Sequence, residues 1–144
     1  MKNKRAISDL VATVLLVLIV IAAVGIIWGA IMPIIRSNLE NSQKCSNAEL
    51  SINTQSGYTY ASGGTVFIQV SRGASTGVNI LGMQLKAIDS SGNSNITTVT
   101  NVPSPNGDQT YNISLANAKR VGVAAIIQNG NLNYTCSMTE SDLP

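Results

Sequence analysis

Few side chains in this chain of 144 residues could do chemistry, and their pattern excludes most kinds of catalysis. The sequence has no histidine, which excludes Ser-His-Asp and Cys-His catalytic pairs and the zinc sites that contain histidine. Two cysteines are too few for an all-cysteine zinc site, the acidic residues are scattered, and no GxxxxGK[ST] phosphate-binding loop is present. We therefore predict a protein that is not an enzyme, with no catalytic residue, no metal site and no cofactor.

The two cysteines, Cys45 and Cys136, point to chemistry of another kind. They have no CxxC spacing, and in a protein outside the cell such a pair is typical of a disulfide. The alternative is two free thiols. A bond would close a loop of about 90 residues and contribute on the order of 4 kcal/mol to stability. It would clamp the last predicted strand to the point where the N-terminal segment ends.

Three Asn-X-Ser/Thr sequons are candidate acceptors of N-linked glycans on an exposed surface. Their acceptor residues are Asn95, Asn112 and Asn133. Such triplets also arise by chance in a segment this rich in Asn, Ser and Thr. Asn133 is the least secure acceptor, because it lies three residues before Cys136 in a predicted strand.

The elements that must position these residues begin with an apolar segment. No residue from Leu10 to Ile35 is charged, and nearly all are apolar. As a helix rising about 1.5 Å per residue, this segment would span a hydrocarbon core of about 30 Å. Lipid favours the helix, since one spanning segment must satisfy its own backbone hydrogen bonds. The sequence thus predicts a helix over residues 7–44, with a kink at Pro33.

Charge indicates how the chain is oriented and which partners it lacks. Lys2, Lys4 and Arg5 precede the apolar segment, whereas only Arg36 and Lys44 follow it closely. The positive-inside rule therefore places the N-terminus in the cytoplasm and the C-terminal part outside. The formal net charge of +2 is too small for a strongly basic nucleic-acid binder, so we predict no nucleic-acid partner.

Residues 45–144 are rich in Ser, Thr, Asn and Gly and contain short β-prone stretches. The predicted strands cover residues 50–54, 65–70, 78–88, 96–100, 111–115, 121–128 and 132–137. Gly82 predicts a bulge or a bend within the third, and Asn129-Gly130 predicts a hairpin between the last two. The fold class is therefore α+β: a long N-terminal hydrophobic helix followed by a small antiparallel β-sandwich head, which the strand pattern suggests is Ig-like.

The start of the chain resembles a known family. A short basic leader ending in Arg5-Ala6 stands directly before Ile7 and the apolar segment. This arrangement is similar to the class III signal peptide of archaeal type IV pilins and archaellins, over about residues 3–35. The resemblance implies cleavage by a prepilin peptidase between Ala6 and Ile7. Val11 stands where bacterial pilins carry a glutamate, a departure that archaeal members often share.

The resemblance also implies an architecture and a function. Residues 1–6 would be a cleaved leader, and residues 7–44 a helix that spans the membrane before assembly and forms the filament core afterwards. Residues 45–144 would be an extracellular β-rich head, pilin-like as the alternative to Ig-like. The chain would be a structural subunit of an archaeal type IV pilus-like surface filament, a helical homo-oligomer built by a membrane assembly platform and serving adhesion. Small residues at Ala22, Gly25 and Gly29, which include a GxxxG motif, would let helices approach closely.

Several alternatives stay open from the sequence alone. Within the family, the chain could be an archaellin of a motility filament or a minor pilin. Outside the family, the apolar segment could anchor a monomeric extracellular binding module in the membrane. It could also be a secretory signal peptide cleaved near Gly25, although its apolar part is longer than the 7–15 residues usual for such peptides.

Overall fold

A computed structural model of the chain describes residues 3–75 and 77–144, with side chains from residue 10 onward. The chain is α+β, as the sequence predicts: a long N-terminal helix is followed by two antiparallel sheets. The helical part consists of α1 (Asn3–Ile26), a π-helical segment (Ile27–Ile31) and α2 (Met32–Ala48). The strands are β1 (Leu50–Ile52), β2 (Tyr60–Ser62), β3 (Thr65–Arg72), β4 (Ile80–Asp89), β5 (Ser94–Val99), β6 (Asp108–Ser114), β7 (Ala118–Asn129), β8 (Leu132–Thr135) and β9 (Thr139–Asp142).

The helix departs from α geometry just before its proline. Pro33 has no N–H to donate, and in a regular α-helix its ring would clash with the carbonyl four residues earlier. In the structure the Met32 N–H donates to the carbonyl of Ile27, five residues back, and the five residues Ile27–Ile31 are π-helical. A widened turn of this kind accommodates the proline, and α2 continues from Met32.

The chain divides into two compact units, Met1–Glu40 and Asn41–Pro144. The second unit contains both sheets, and every pairing in them is antiparallel. In the first sheet β3 lies at the centre, with β6 along one side and β1 and β2 along the other. In the second sheet the order is β5-β4-β7, and β8 and β9 both pair with the far side of β7.

Alternating side chains of the two sheets form the main core. Along β3, Val66, Ile68 and Val70 are fully buried, while the residues between them are half-buried on the opposite face. This is the period of two that a half-covered strand requires. The core cluster takes its buried members from both sheets: Val66, Ile68, Val70, Met83, Leu85, Ala87, Ile113, Ala118, Val121 and Val123. Burial of these side chains is what holds the two sheets together.

Each of the seven predicted strands has a counterpart in the structure, with ends shifted by a few residues. The sequence did not predict β2 and β9, which are three and four residues long. The predicted hairpin at Asn129-Gly130 joins β7 to β8, but its two turn residues are Gly130 and Asn131, because Asn129 pairs with Leu132. Gly130 has φ of +63°, which glycine adopts without strain.

The bulge predicted at Gly82 is present. The register of β4 against β7 shifts between Ile80 and Gly82. A Cβ at Gly82 would lie only 2.7 Å from the backbone oxygen of Val99 on the neighbouring strand. The absence of a side chain therefore permits the close approach of these two strands at the bulge.

We expect Gly82→Ala to lower the thermal unfolding midpoint of the head, measured by circular dichroism in detergent. The added methyl group must displace backbone rather than a side chain, at a cost of about 1–3 kcal/mol. Gly77→Ala is the matched control, since nothing lies within 4 Å of a Cβ at that position. Equal midpoints for the two variants would contradict the close approach at Gly82.

Candidate functional site

The apolar helix presents its large side chains to the outside of the isolated chain. Between Leu10 and Leu39 these side chains are 44–68% exposed. Among the described residues this is the one helix long and apolar enough to cross a membrane, over Leu10–Ala48. Water is a poor environment for such a surface, so it requires lipid or other apolar helices around it.

The small residues predicted to pack helices together lie on one side of this helix. Ala22 and Gly25 are three residues apart and Gly29 four further on, a spacing that places them on one face. Nothing lies within 4 Å of a Cβ built at Gly25 or at Gly29. Neither glycine is therefore required by packing within the chain itself. Gly29 belongs to the π-helical segment, so the face crosses the widened turn.

The predicted cleavage residues are described by their backbone alone. Arg5, Ala6 and Ile7 lie within α1, which begins at Asn3. Their side chains lie outside the described part of the structure.

The two cysteines form a disulfide in the structure. Cys45 in α2 and Cys136 after β8 have Cα atoms 5.5 Å apart and are separated by 91 positions in sequence. Cys136 packs in a second, smaller core cluster with Ala48 and Ile127, against which Cys45 also packs. The bond therefore fixes the last turns of α2 to the second sheet at a point that is also held by apolar contacts.

Polar contacts that the sequence did not predict reinforce this junction. Asn129, at the end of β7, accepts a hydrogen bond at its Oδ1 from the Lys44 Nζ over 2.6 Å. Its Nδ2 donates to the Oδ1 of Asn41. Both partners precede Cys45 in α2, so these hydrogen bonds attach the β7–β8 hairpin to the helix on the N-terminal side of the disulfide. A cleft of about 310 Å³ lies beside the bond, lined by Ser42, Cys45, Ser46, Tyr134, Cys136 and Ser137.

The three sequon asparagines lie on three different strands and in different surroundings. Asn112 on β6 and Asn133 on β8 are exposed. Asn95 on β5 is half-buried, and its Nδ2 donates to the backbone oxygen of Ser114 over 2.9 Å. A glycan on Asn95 would have to be attached at a nitrogen already engaged between two strands.

The surroundings of Asp89 and Tyr111 shift the pKa values of these two side chains. The side-chain amide of Asn93 donates to the carboxylate of Asp89 in the β4–β5 turn, as do the backbone N–H groups of Ser91 and Asn93, and these bonds lower the pKa of Asp89. Partial burial raises the pKa of Tyr111, whose hydroxyl donates to the Asn101 carbonyl over 2.7 Å. Within the described ranges no three His, Cys, Asp or Glu side chains group so as to hold a metal ion.

No protein-family model, no curated protein and no solved structure matches this chain. Its own features support a coarse assignment of location. The apolar helix indicates insertion into a membrane or secretion. The disulfide indicates that the head lies in an oxidising, extracellular environment.

We expect the double variant Cys45→Ser, Cys136→Ser to unfold at a lower urea concentration than the oxidised chain. Loss of a cross-link over 91 positions removes about 4 kcal/mol of stability in the loop-entropy description. Reduced wild-type protein should unfold at the same concentration as the double variant, and Ser46→Ala, next to Cys45, should leave the midpoint unchanged. A double variant as stable as the oxidised chain would show that the disulfide does not stabilise the attachment of α2 to the second sheet.

Proposed function

We propose that this chain is a structural subunit of an archaeal type IV pilus-like surface filament, made as a membrane precursor and assembled after its leader is removed. The observation that carries the proposal is the exposed apolar helix, uncharged from Leu10 to Ile35, with a short basic segment shortly before it in the sequence. A helix of this kind needs apolar neighbours wherever the protein resides, and identical copies of itself can supply them.

Removal of the leader changes what holds the helix in the membrane. Lys2, Lys4 and Arg5 are three of the nine basic residues. Three positive charges on the cytoplasmic side oppose withdrawal of the helix towards the outside, because each would have to cross the hydrocarbon core. A cut between Ala6 and Ile7 leaves six basic and seven acidic side chains, with none of the basic ones before the apolar segment. The helix can then leave the bilayer provided that other helices replace the lipid.

The small-residue face offers a way to pack those helices. Ala22, Gly25 and Gly29 leave room for a neighbouring backbone, which strengthens the dispersion contacts that drive association between apolar helices. Contacts between different faces of identical subunits form a closed ring only if the rotation between copies divides a full turn. With any other rotation, the same contacts generate an open helical filament.

The head would form the outer surface of the filament and meet its environment. Adhesion is the role that the family resemblance implies for that surface. The prepilin peptidase and the membrane assembly platform would be the partners of the precursor, and the chain itself would perform no catalysis.

The N-terminal sequence and the mass of the mature protein from its source cells test the processing step. We expect the mature chain to begin at Ile7, as cleavage after Ala6 requires. A chain that begins at Met1 or Lys2 would contradict the proposal and leave a membrane-anchored extracellular domain. A start near Ile26 would mean secretion without an anchor.

We expect Ala22→Leu to reduce filament assembly by about tenfold or more, the effect of losing about 1.4 kcal/mol per subunit contact. The larger side chain would hold neighbouring helices apart on the small-residue face. Filaments sheared from cells and the membrane-bound precursor would both be quantified by immunoblotting.

Ala23→Leu is the matched control, because it makes the same change one position along the chain and on a different face of α1. Membrane insertion should be equal for the two variants, since both add the same apolar side chain to the same segment. If Ala22→Leu assembles as well as Ala23→Leu, the small-residue face is not the packing surface.

A further inference from the structure

An aromatic pair and a sequon asparagine lie in one row across the outer face of the first sheet. Tyr60 on β2 is directly opposite Phe67 on β3, and Phe67 is directly opposite Asn112 on β6. Residues directly opposite each other on antiparallel strands point to the same face, with Cβ atoms about 4.5–5.5 Å apart. The rings of Tyr60 and Phe67 are stacked, with centroids 4.9 Å apart.

This row belongs to the outer face because the residues next to it in sequence point inward. Val66 and Ile68, on either side of Phe67, are fully buried in the core between the sheets. Ile113, the residue after Asn112, is also buried there. Tyr60 is 42% exposed and Phe67 is half-buried, so the pair is an apolar shelf on a face that is otherwise polar.

The other two sequons have no such neighbour. Asn95 is opposite Ala87, which is fully buried, so Asn95 points towards the inner face of its sheet. Asn133 is opposite Gln128, an exposed polar residue. Only at Asn112 does the register place an aromatic ring directly beside the amide that a glycan would occupy.

We infer that Asn112 carries an N-linked glycan whose first sugar packs against the stacked rings of Phe67 and Tyr60. The ligand class is a pyranose, whose C–H face is apolar and complements the electron-rich face of an aromatic ring. The same sugar presents its hydroxyl groups to water. It would cover the exposed part of the shelf while keeping the outer surface polar.

The covalent step needs a glycan donor, which would be a sugar linked through its C1 to a lipid phosphate. The Asn112 Nδ2 forms a bond to C1, the bond between C1 and the phosphate oxygen breaks, and the lipid phosphate leaves with the bonding electrons. The amide loses one proton to the medium. The Ser114 hydroxyl lies two residues further along β6 and, with Asn112, completes the sequon on the same exposed face.

The inference requires that the head is exported, but it does not depend on filament assembly. A chain that is a monomeric anchored module would carry the same glycan on the same shelf. Failure of one proposal therefore leaves the other standing.

Peptide mapping of the full chain from its source cells tests the attachment. Combined cleavage by trypsin and at aspartate separates the three acceptors, because Asp89, Asp108 and Lys119 bound peptides that contain Asn95 or Asn112 alone. We expect a glycan mass on the peptide 108–119 and none on the peptide 89–107. An unmodified Asn112 would overturn the inference.

Thermal unfolding of the full chain in detergent tests the packing of the sugar. We compare the glycosylated chain with Ser114→Ala, which removes the sequon but keeps Asn112, and repeat the comparison in a Phe67→Leu background. With Phe67 present, we expect loss of the glycan to lower the unfolding midpoint by about 4 °C, the shift produced by a cross-strand contact of ordinary size.

In the Phe67→Leu background the same change should shift the midpoint by less than about 1 °C, since the ring that receives the sugar is gone. Because each comparison is made within one background, a general loss of stability from Phe67→Leu cancels. Asn133→Gln serves as the sequon control without an aromatic neighbour and should not depend on residue 67. Equal shifts in both backgrounds would show that the sugar does not rest on Phe67.

Discussion

A helix whose large apolar side chains are 44–68% exposed cannot stay in water, and this constraint governs residues 10–39. Each leucine or isoleucine left in water forgoes about 1.5–3 kcal/mol that its burial would provide, and the helix has many of them. Lipid would satisfy the constraint for the proposed membrane precursor, and a bundle of identical helices would satisfy it for the proposed filament subunit. Passage from the membrane to the filament would then require removal of the positive charges that oppose withdrawal of the helix.

The head is attached to the end of α2 at more than one point. Attachment through the backbone alone would depend on the peptide chain between Ala48 and β1, which is only one residue long. The Cys45–Cys136 disulfide adds a covalent link near the other end of the head sequence, and Asn129 adds hydrogen bonds to Asn41 and Lys44. The last turns of α2 are therefore joined both to the first strand, which follows them in the chain, and to the β7–β8 hairpin with Cys136.

The sequence predicts those parts of the structure that depend on local composition. The apolar helix follows from the run of uncharged residues, and β3 follows from its alternating pattern, whose apolar members are the buried ones. The disulfide could be predicted because the chain has only two cysteines. By contrast, β2 and β9 are too short to show an alternating apolar pattern, and they are strands because β3 and β7 offer them hydrogen-bonding edges. Strand register is likewise a tertiary property, so no local pattern connects Phe67 with Asn112, 45 positions apart, or Lys44 with Asn129. The site predicted at Arg5, Ala6 and Ile7 is of another kind, since it depends on recognition by a peptidase and not on how the chain folds.

The two surfaces proposed here place opposite demands on the sequence, and the chain separates them along its length. A helix that must exchange lipid for other helices tolerates neither charge nor a bulky hydrophilic group, and residues 10–35 contain no charged residue and no sequon. The outer face of a β-sheet in water has the reverse problem, because exposed aromatic rings invite association with other sheets. A sugar on Asn112 would cover Phe67 and Tyr60 without removing them. In its sheet β6 pairs with β3 on one side, so a glycan on β6 would also hinder the other side of this strand from pairing with another chain. Such a glycan would direct association to the helix by making the head a poor partner for its own copies.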